Sequence, residues 1–91
     1  MTEEINKINI KHKIIKFKKP ILITIYFDNS INMYWSENKE YAIHGYGKTI
    51  KEAFKDVYYG LKFQWEIVDM DDSELAKETI ELKNKFKKLI E

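Results

Sequence analysis

Tyr41-Ala42-Ile43-His44-Gly45-Tyr46-Gly47-Lys48-Thr49-Ile50-Lys51-Glu52-Ala53-Phe54 is the stretch on which the fold turns, because its apolar period changes part-way along. Tyr41 to His44 reads as the start of a β segment that closes in Gly45-Tyr46-Gly47. Thr49 to Glu52 is a capping box: the threonine hydroxyl accepts from the N–H three residues on, and the glutamate reaches back. From there Ile50, Ala53, Phe54, Val57, Leu61, Trp65 and Val68 recur at helical spacing, which predicts a helix over 49–68 lying on a sheet. Tyr59, Phe63 and Ile67 form a second stripe beside the first, wider than one sheet face requires, so something else must cover it. Gly60 costs about 1 kcal/mol relative to alanine in mid-helix, which suggests that another backbone passes close by. Gly45 and Gly47 read as a strand-to-helix turn needing positive φ.

Upstream, Ile21-Leu22-Ile23-Thr24-Ile25-Tyr26-Phe27 is apolar at odd positions and mixed at even ones, the pattern of a central strand. Asp28-Asn29-Ser30 favours a tight turn, so Ile31 to Ser36 returns antiparallel with Ile31, Met33 and Trp35 on one face. Glu37 to Glu40 is a second polar turn. Nearer the N-terminus Ile8, Ile10, His12 and Ile14 alternate with polar residues as in a half-buried strand, and its lysines suit an edge. The phase slips at Ile14-Ile15, as at a bulge or a strand end. Lys18-Lys19-Pro20 then breaks the run, and residues 1–7 are predicted to be disordered.

Downstream, Asp69, Asp71 and Asp72 crowd the negative end of the first helix and close it. Ser73 serves as N-cap of a second helix over 74–90. Leu75, Leu82 and Leu89 fall seven apart with Thr79 and Phe86 between them, one seam of about two heptads. Such a helix docks on its own domain or is exchanged with a second copy. The expected fold is α+β: an antiparallel sheet of three to four strands packed against one long helix, plus a C-terminal helix. At 91 residues it is a single domain, 1–91.

Composition removes several function classes. Sixteen basic residues against 15 acidic leave a net charge of +1, so no global attraction to nucleic acid is implied. Every basic residue is lysine, so the forked guanidinium that grips phosphates and guanine edges is missing. Without cysteine there is no disulfide, thiolate nucleophile or zinc–sulfur site, which fits a reducing compartment. Neither a membrane-spanning apolar run nor a signal-like start is present, and the expected location is cytoplasmic.

Chemical motifs are equally sparse. His12 and His44 are isolated from each other and from metal-ligand spacing. Asp69, Asp71 and Asp72 lack the glycine and terminal glutamate of a calcium loop, and Gly45-Tyr46-Gly47-Lys48-Thr49 lacks the first half of a Walker loop. The expectation is no enzyme, no cofactor and no metal. Lys7, Lys11, Lys13, Lys16, Lys18 and Lys19, with Tyr26, Tyr34, Trp35 and Tyr46 as stacking faces, offer a weak RNA-binding alternative.

Ile31 to Leu61 resembles the HicB-like antitoxin family, a partial ribonuclease-H-like domain that reads hairpin, short strand, then Gly-x-Thr-x-x-Glu-Ala opening an amphipathic helix. Gly47-Lys48-Thr49-Ile50-Lys51-Glu52-Ala53 matches that motif. The family's Pro-Asp-x-Pro-Gly is replaced by Ser36 to Glu40, and one further helix stands where the family adds a strand and a DNA-binding part. The resemblance implies a non-catalytic module that masks a partner protein, such as a small ribonuclease toxin, and that dimerises. A phage-type inhibitor of a host nucleic-acid enzyme is the other protein-binding alternative. The candidate partner-binding residues are Tyr34, Trp35, Tyr59, Phe63 and Ile67, since buried aromatics carry much of an interface's energy.

Overall fold

The computed structural model describes all residues from Met1 to Glu91. Four strands, β1 (Thr2–Ile10), β2 (Lys13–Asp28), β3 (Met33–Asn38) and β4 (Ile43–Gly47), form an antiparallel meander in the order β1-β2-β3-β4. Helix α1 (Ile50–Gln64) packs across one face, runs on as a 3-10 turn over Trp65–Asp69, and is followed by a second 3-10 turn, Asp72–Glu74, and by α2 (Lys77–Lys88). The architecture is the expected α+β one, with four strands.

The core lies between sheet and helix. Ile21, Ile23 and Ile25, the odd positions of β2, are buried together with Ile5, Ile8 and Ile43 against Ala53, Val57 and Leu61 of α1. Small residues let the layers approach closely. An added Cβ on Gly45 would stand 2.5 Å from the Val57 nitrogen, and one on Gly47 would run into the α1 backbone at Ala53. The Ser36 hydroxyl, fully buried, donates 2.7 Å to the Ala53 carbonyl and ties β3 to the helix. No glycine has positive φ, so Gly45 and Gly47 serve close packing within a strand, not a left-handed turn. Gly60 meets only the His44 carbonyl at 3.5 Å, an ordinary contact.

Several local expectations are corrected. Residues 1–7 do not lie outside the fold: β1 starts at Thr2, and the Met1 carbonyl accepts from the Ile25 N–H at 2.8 Å. The strand expected across Ile8 to Ile14 is divided by a two-residue turn at Lys11 and His12, both at positive φ, with Ile10 opposite Lys13. Pro20 does not end a strand. Between the Ile5–Ile21 and Lys7–Lys16 pairs, β2 carries residues 17–20 against Asn6 alone, so Pro20 sits in a bulge where no ladder hydrogen bond is asked of it. There the Lys18 N–H donates 2.7 Å to the Leu89 carbonyl, drawing the end of the chain onto β2.

The helical run reaches Asp69, as α-helix to Gln64 and 3-10 helix beyond, whereas α2 begins at Lys77, not at 74. Ser73 is no helix cap; its N–H donates to the Asp71 carboxylate inside the second 3-10 turn. The Leu75–Leu82–Phe86–Leu89 seam does pack, and on this same chain, with Phe86 and Leu89 fully buried. Phe17, Trp65, Phe86 and Tyr41 stack in succession at centroid distances of 5.3, 4.9 and 5.7 Å, closing one end of the core. Lys83 extends from α2 to the Met70 carbonyl and to Asp72 at 2.9 Å, pinning the connection.

Two predictions follow from this packing. Gly45→Ala should destabilise the protein by about 2 kcal/mol or more, since backbone must move to admit the methyl. Gly60→Ala should stabilise it by about 0.5–1 kcal/mol; urea denaturation of the two variants measures both signs. Burial, with a hydrogen bond to Glu40 and its charge, pushes the Tyr41 phenol up to about 12, against about 10 in the unfolded chain. The folded state is therefore favoured while the phenol is protonated, and this contribution fades as pH rises from about 10 towards 12. Melting temperatures followed across that range should fall more for the wild-type protein than for Tyr41→Phe.

Candidate functional site

All helical structure lies on one side of the sheet, which leaves the other side open. The even positions of β2 point there, because successive strand residues alternate between faces. Register then decides which side chains meet: Tyr26 pairs with Trp35 and Trp35 with Tyr46, setting three aromatic residues abreast on β2, β3 and β4. The next row is Thr24, Glu37 and His44. Leu22 follows on β2, and it is 50% exposed, with Tyr26 at 44% and Tyr46 at 42%.

The rings on this face are organised. His44 stacks on Trp35 at 5.1 Å with 5° between planes, and Tyr46 stands edge-on to Trp35 at 4.6 Å. The Trp35 indole Nε1 is buried yet bonds to no acceptor, the one buried side-chain polar atom so placed. Such an atom costs roughly 1–3 kcal/mol, here in the middle of the exposed face. Partial burial, then the charges of Glu37 and Asp28, push the Tyr26 phenol upward. Asp28 itself is held low by its hydrogen bonds from the Ser30 hydroxyl and N–H.

Helix α1 reaches each sheet edge with one side chain. The Tyr58 hydroxyl accepts from the Asn9 N–H of β1 at 3.1 Å, and the Asp56 carboxylate accepts from the Tyr46 N–H of β4 at 2.9 Å. The capping box forms with one change: Thr49 accepts from the Glu52 N–H at 3.1 Å, while Glu52 takes the Lys48 N–H at 2.9 Å, one residue before the cap. Exposed apolar side chains lie both on the open face of the sheet and on the outside of α1.

The sequence-predicted contact residues separate. Tyr34 lies on the helix side, half-buried against the core with Phe27 edge-on at 5.2 Å, whereas Trp35 lies on the open face. The second helical stripe also splits. Tyr59 is 55% and Phe63 72% exposed on the outside of α1, but Ile67 is 8% exposed and belongs to the core. Lys62 approaches both Tyr58 and Tyr59, 5.9 and 5.7 Å from their ring centres. Phe63 borders a shallow groove of about 500 Å³ with Ile10, Lys11, Trp65, Glu66 and Asp69. Tyr26, Tyr46 and Leu22, outside the predicted contact set, belong to the open face. For Leu22 and Tyr26 the signal is β2 itself, which carries apolar residues at both parities.

His12 sits in the hairpin turn, remote from His44 on β4. Asp71 caps a turn and Asp72 pairs with Lys83, so the acidic run is spent on local structure. No three histidine, aspartate or glutamate side chains gather in a metal-ligating cluster. No helix is long and apolar enough to cross a membrane. No protein-family model matches the chain, and neither does any curated protein or solved structure.

The split stripe is directly measurable. Phe63→Asp should leave the melting temperature nearly unchanged, because exposed substitutions cost within about 0.5 kcal/mol. Ile67→Asp should unfold the protein at ambient temperature, because it buries a carboxylate with no partner.

Proposed function

We propose that this protein is a non-catalytic binding module that masks a partner protein through the open face of its sheet. The carrying observation is the aromatic row of exposed Tyr26 and Tyr46 with half-buried Trp35 between them, beside exposed Leu22, on a sheet whose other face is packed by α1. Aromatic residues concentrate binding energy at interfaces, and a contiguous apolar patch is the usual mark of a docking surface. Masking is steric: the face buries against the partner and keeps that partner's substrate out. The HicB-like motif Gly47 to Ala53 supports the finer reading, an antitoxin whose partner is a small ribonuclease toxin; a phage-type inhibitor would use the same face.

One observation favours a second reading. Lys7 pairs across strands with Lys16, Lys11 lies in the adjoining turn and Lys13 opens β2, which gathers cations at the β1–β2 hairpin. A weak RNA-binding module would hold the phosphate backbone there, with affinity falling steeply as salt rises.

Affinity capture from native cells, with and without nuclease, separates the two. The tagged wild-type protein should retain one protein in stoichiometric, nuclease-resistant amounts, and Tyr46→Lys should release it without loss of melting temperature. RNA that is kept by Tyr46→Lys, lost by Lys7→Glu and washed off by salt would establish the second reading instead.

A further inference from the structure

The open face sets two carboxylates without ion-pair partners beside its aromatics. Glu37 lies in the row next to Trp35, between Thr24 and His44, and Asp28 follows Tyr26 by two residues on the same side of β2. Neither carboxylate has a cationic partner; the single ion pair of the molecule is Lys83 with Asp72, on the opposite side. Asp28 is bonded only to neutral donors of Ser30. Lys7 and Lys16 share the open face but stand beyond the bulge, at the hairpin end. Lys39 borders a groove with Leu22, Thr24 and Glu37, and Lys48 borders one with Tyr46, yet neither forms an ion pair. The electronegative faces of tyrosine and tryptophan attract cations, and unpaired carboxylates beside them add to the same preference. Negative charge acts on the Tyr26 phenol from both Glu37 and Asp28.

We infer that the occupant of this face is a protein segment presenting arginine or lysine side chains to the aromatic row, with Glu37 and Asp28 as their counter-charges. The inference rests on the protein-binding reading above and names the chemistry of its partner. Leu22 requires apolar side chains between the cations, which a peptide supplies and a free polyamine does not. A phosphate-bearing strand would meet two carboxylates at the very rings on which its bases must stack.

Titration of the isotope-labelled full chain with a short peptide of alternating arginine and leucine tests this by NMR. The indole N–H of Trp35 should shift while that of Trp65, 3% exposed in the core, stays in place and reports an intact fold. Glu37→Gln should weaken binding by about threefold, the scale of one partly exposed charge pair; Glu74→Gln, a carboxylate outside this face, should leave it unchanged. A matched glutamate–leucine peptide or an oligouridine RNA that shifts Trp35 equally would overturn the inference. So would spermine binding as tightly as the peptide, or a Glu37→Gln variant that binds like the wild type. Capture of an acidic or neutral protein through Tyr46 would overturn it too, yet leave the protein-binding reading standing; capture that is indifferent to Tyr46→Lys would remove that reading instead.

Discussion

The structure depends on how closely α1 can approach β4. Gly45 and Gly47 present no side chain, Ala53 presents a methyl, and Ser36 donates into the helix backbone at Ala53. Contact at backbone distance fixes the helix axis over β3 and β4, and the larger residues Val57, Leu61 and Trp65 then fill the space that opens above the isoleucines of β2 and β1. Once the helix is seated, its flanks tie to the sheet edges, since Asp56 accepts the Tyr46 N–H of β4 and the Tyr58 hydroxyl the Asn9 N–H of β1. A larger residue at either glycine would lift α1 and loosen all of these together.

A second closure lies at the other end, and it acts over the whole chain length. The bulge at residues 17–20 opens β2 to the last turn of α2, where the Leu89 carbonyl receives the Lys18 N–H and Phe86 enters the aromatic stack with Trp65, Tyr41 and Phe17. An irregular stretch of strand, with a proline in it, is thereby the docking point for the C-terminal helix. Lys83 strengthens the arrangement because its ammonium, mostly withdrawn from water, is held by both a carbonyl and Asp72.

How much of this the amino-acid order reveals depends on the range of the deciding interaction. The β2–β3–β4 meander and α1 are written locally, in the alternation of Ile21 to Phe27 and in the capping box at Thr49. The first hairpin is not. Lys11 and His12 adopt positive φ without the glycine or asparagine that announces such a turn, so the apolar alternation reads straight through them. Pro20 misleads for a related reason: its bulge is stabilised by Leu89, far away in sequence, and no local pattern encodes that contact. The helical stripe of Tyr59, Phe63 and Ile67 is a matter of phase. The 3-10 turn after Gln64 changes the rotation per residue, and it carries Ile67 inward while Phe63 stays out.

The open face follows from the same two closures. With α1 seated by the glycines and α2 clasped at the bulge, no element of the chain remains to cover the even side of β2. An uncovered face that merely met solvent would carry charged and small polar residues at those positions. Here Tyr26, Trp35 and Tyr46 are set abreast, Leu22 stands beside them, and the indole N–H of Trp35 is left without an acceptor. A face meant for a hydrophobic core would not place Glu37 and Asp28 at the margins of those rings without an ion pair for either. Apolar area beside carboxylates held in no ion pair is the combination on which the proposed docking surface rests.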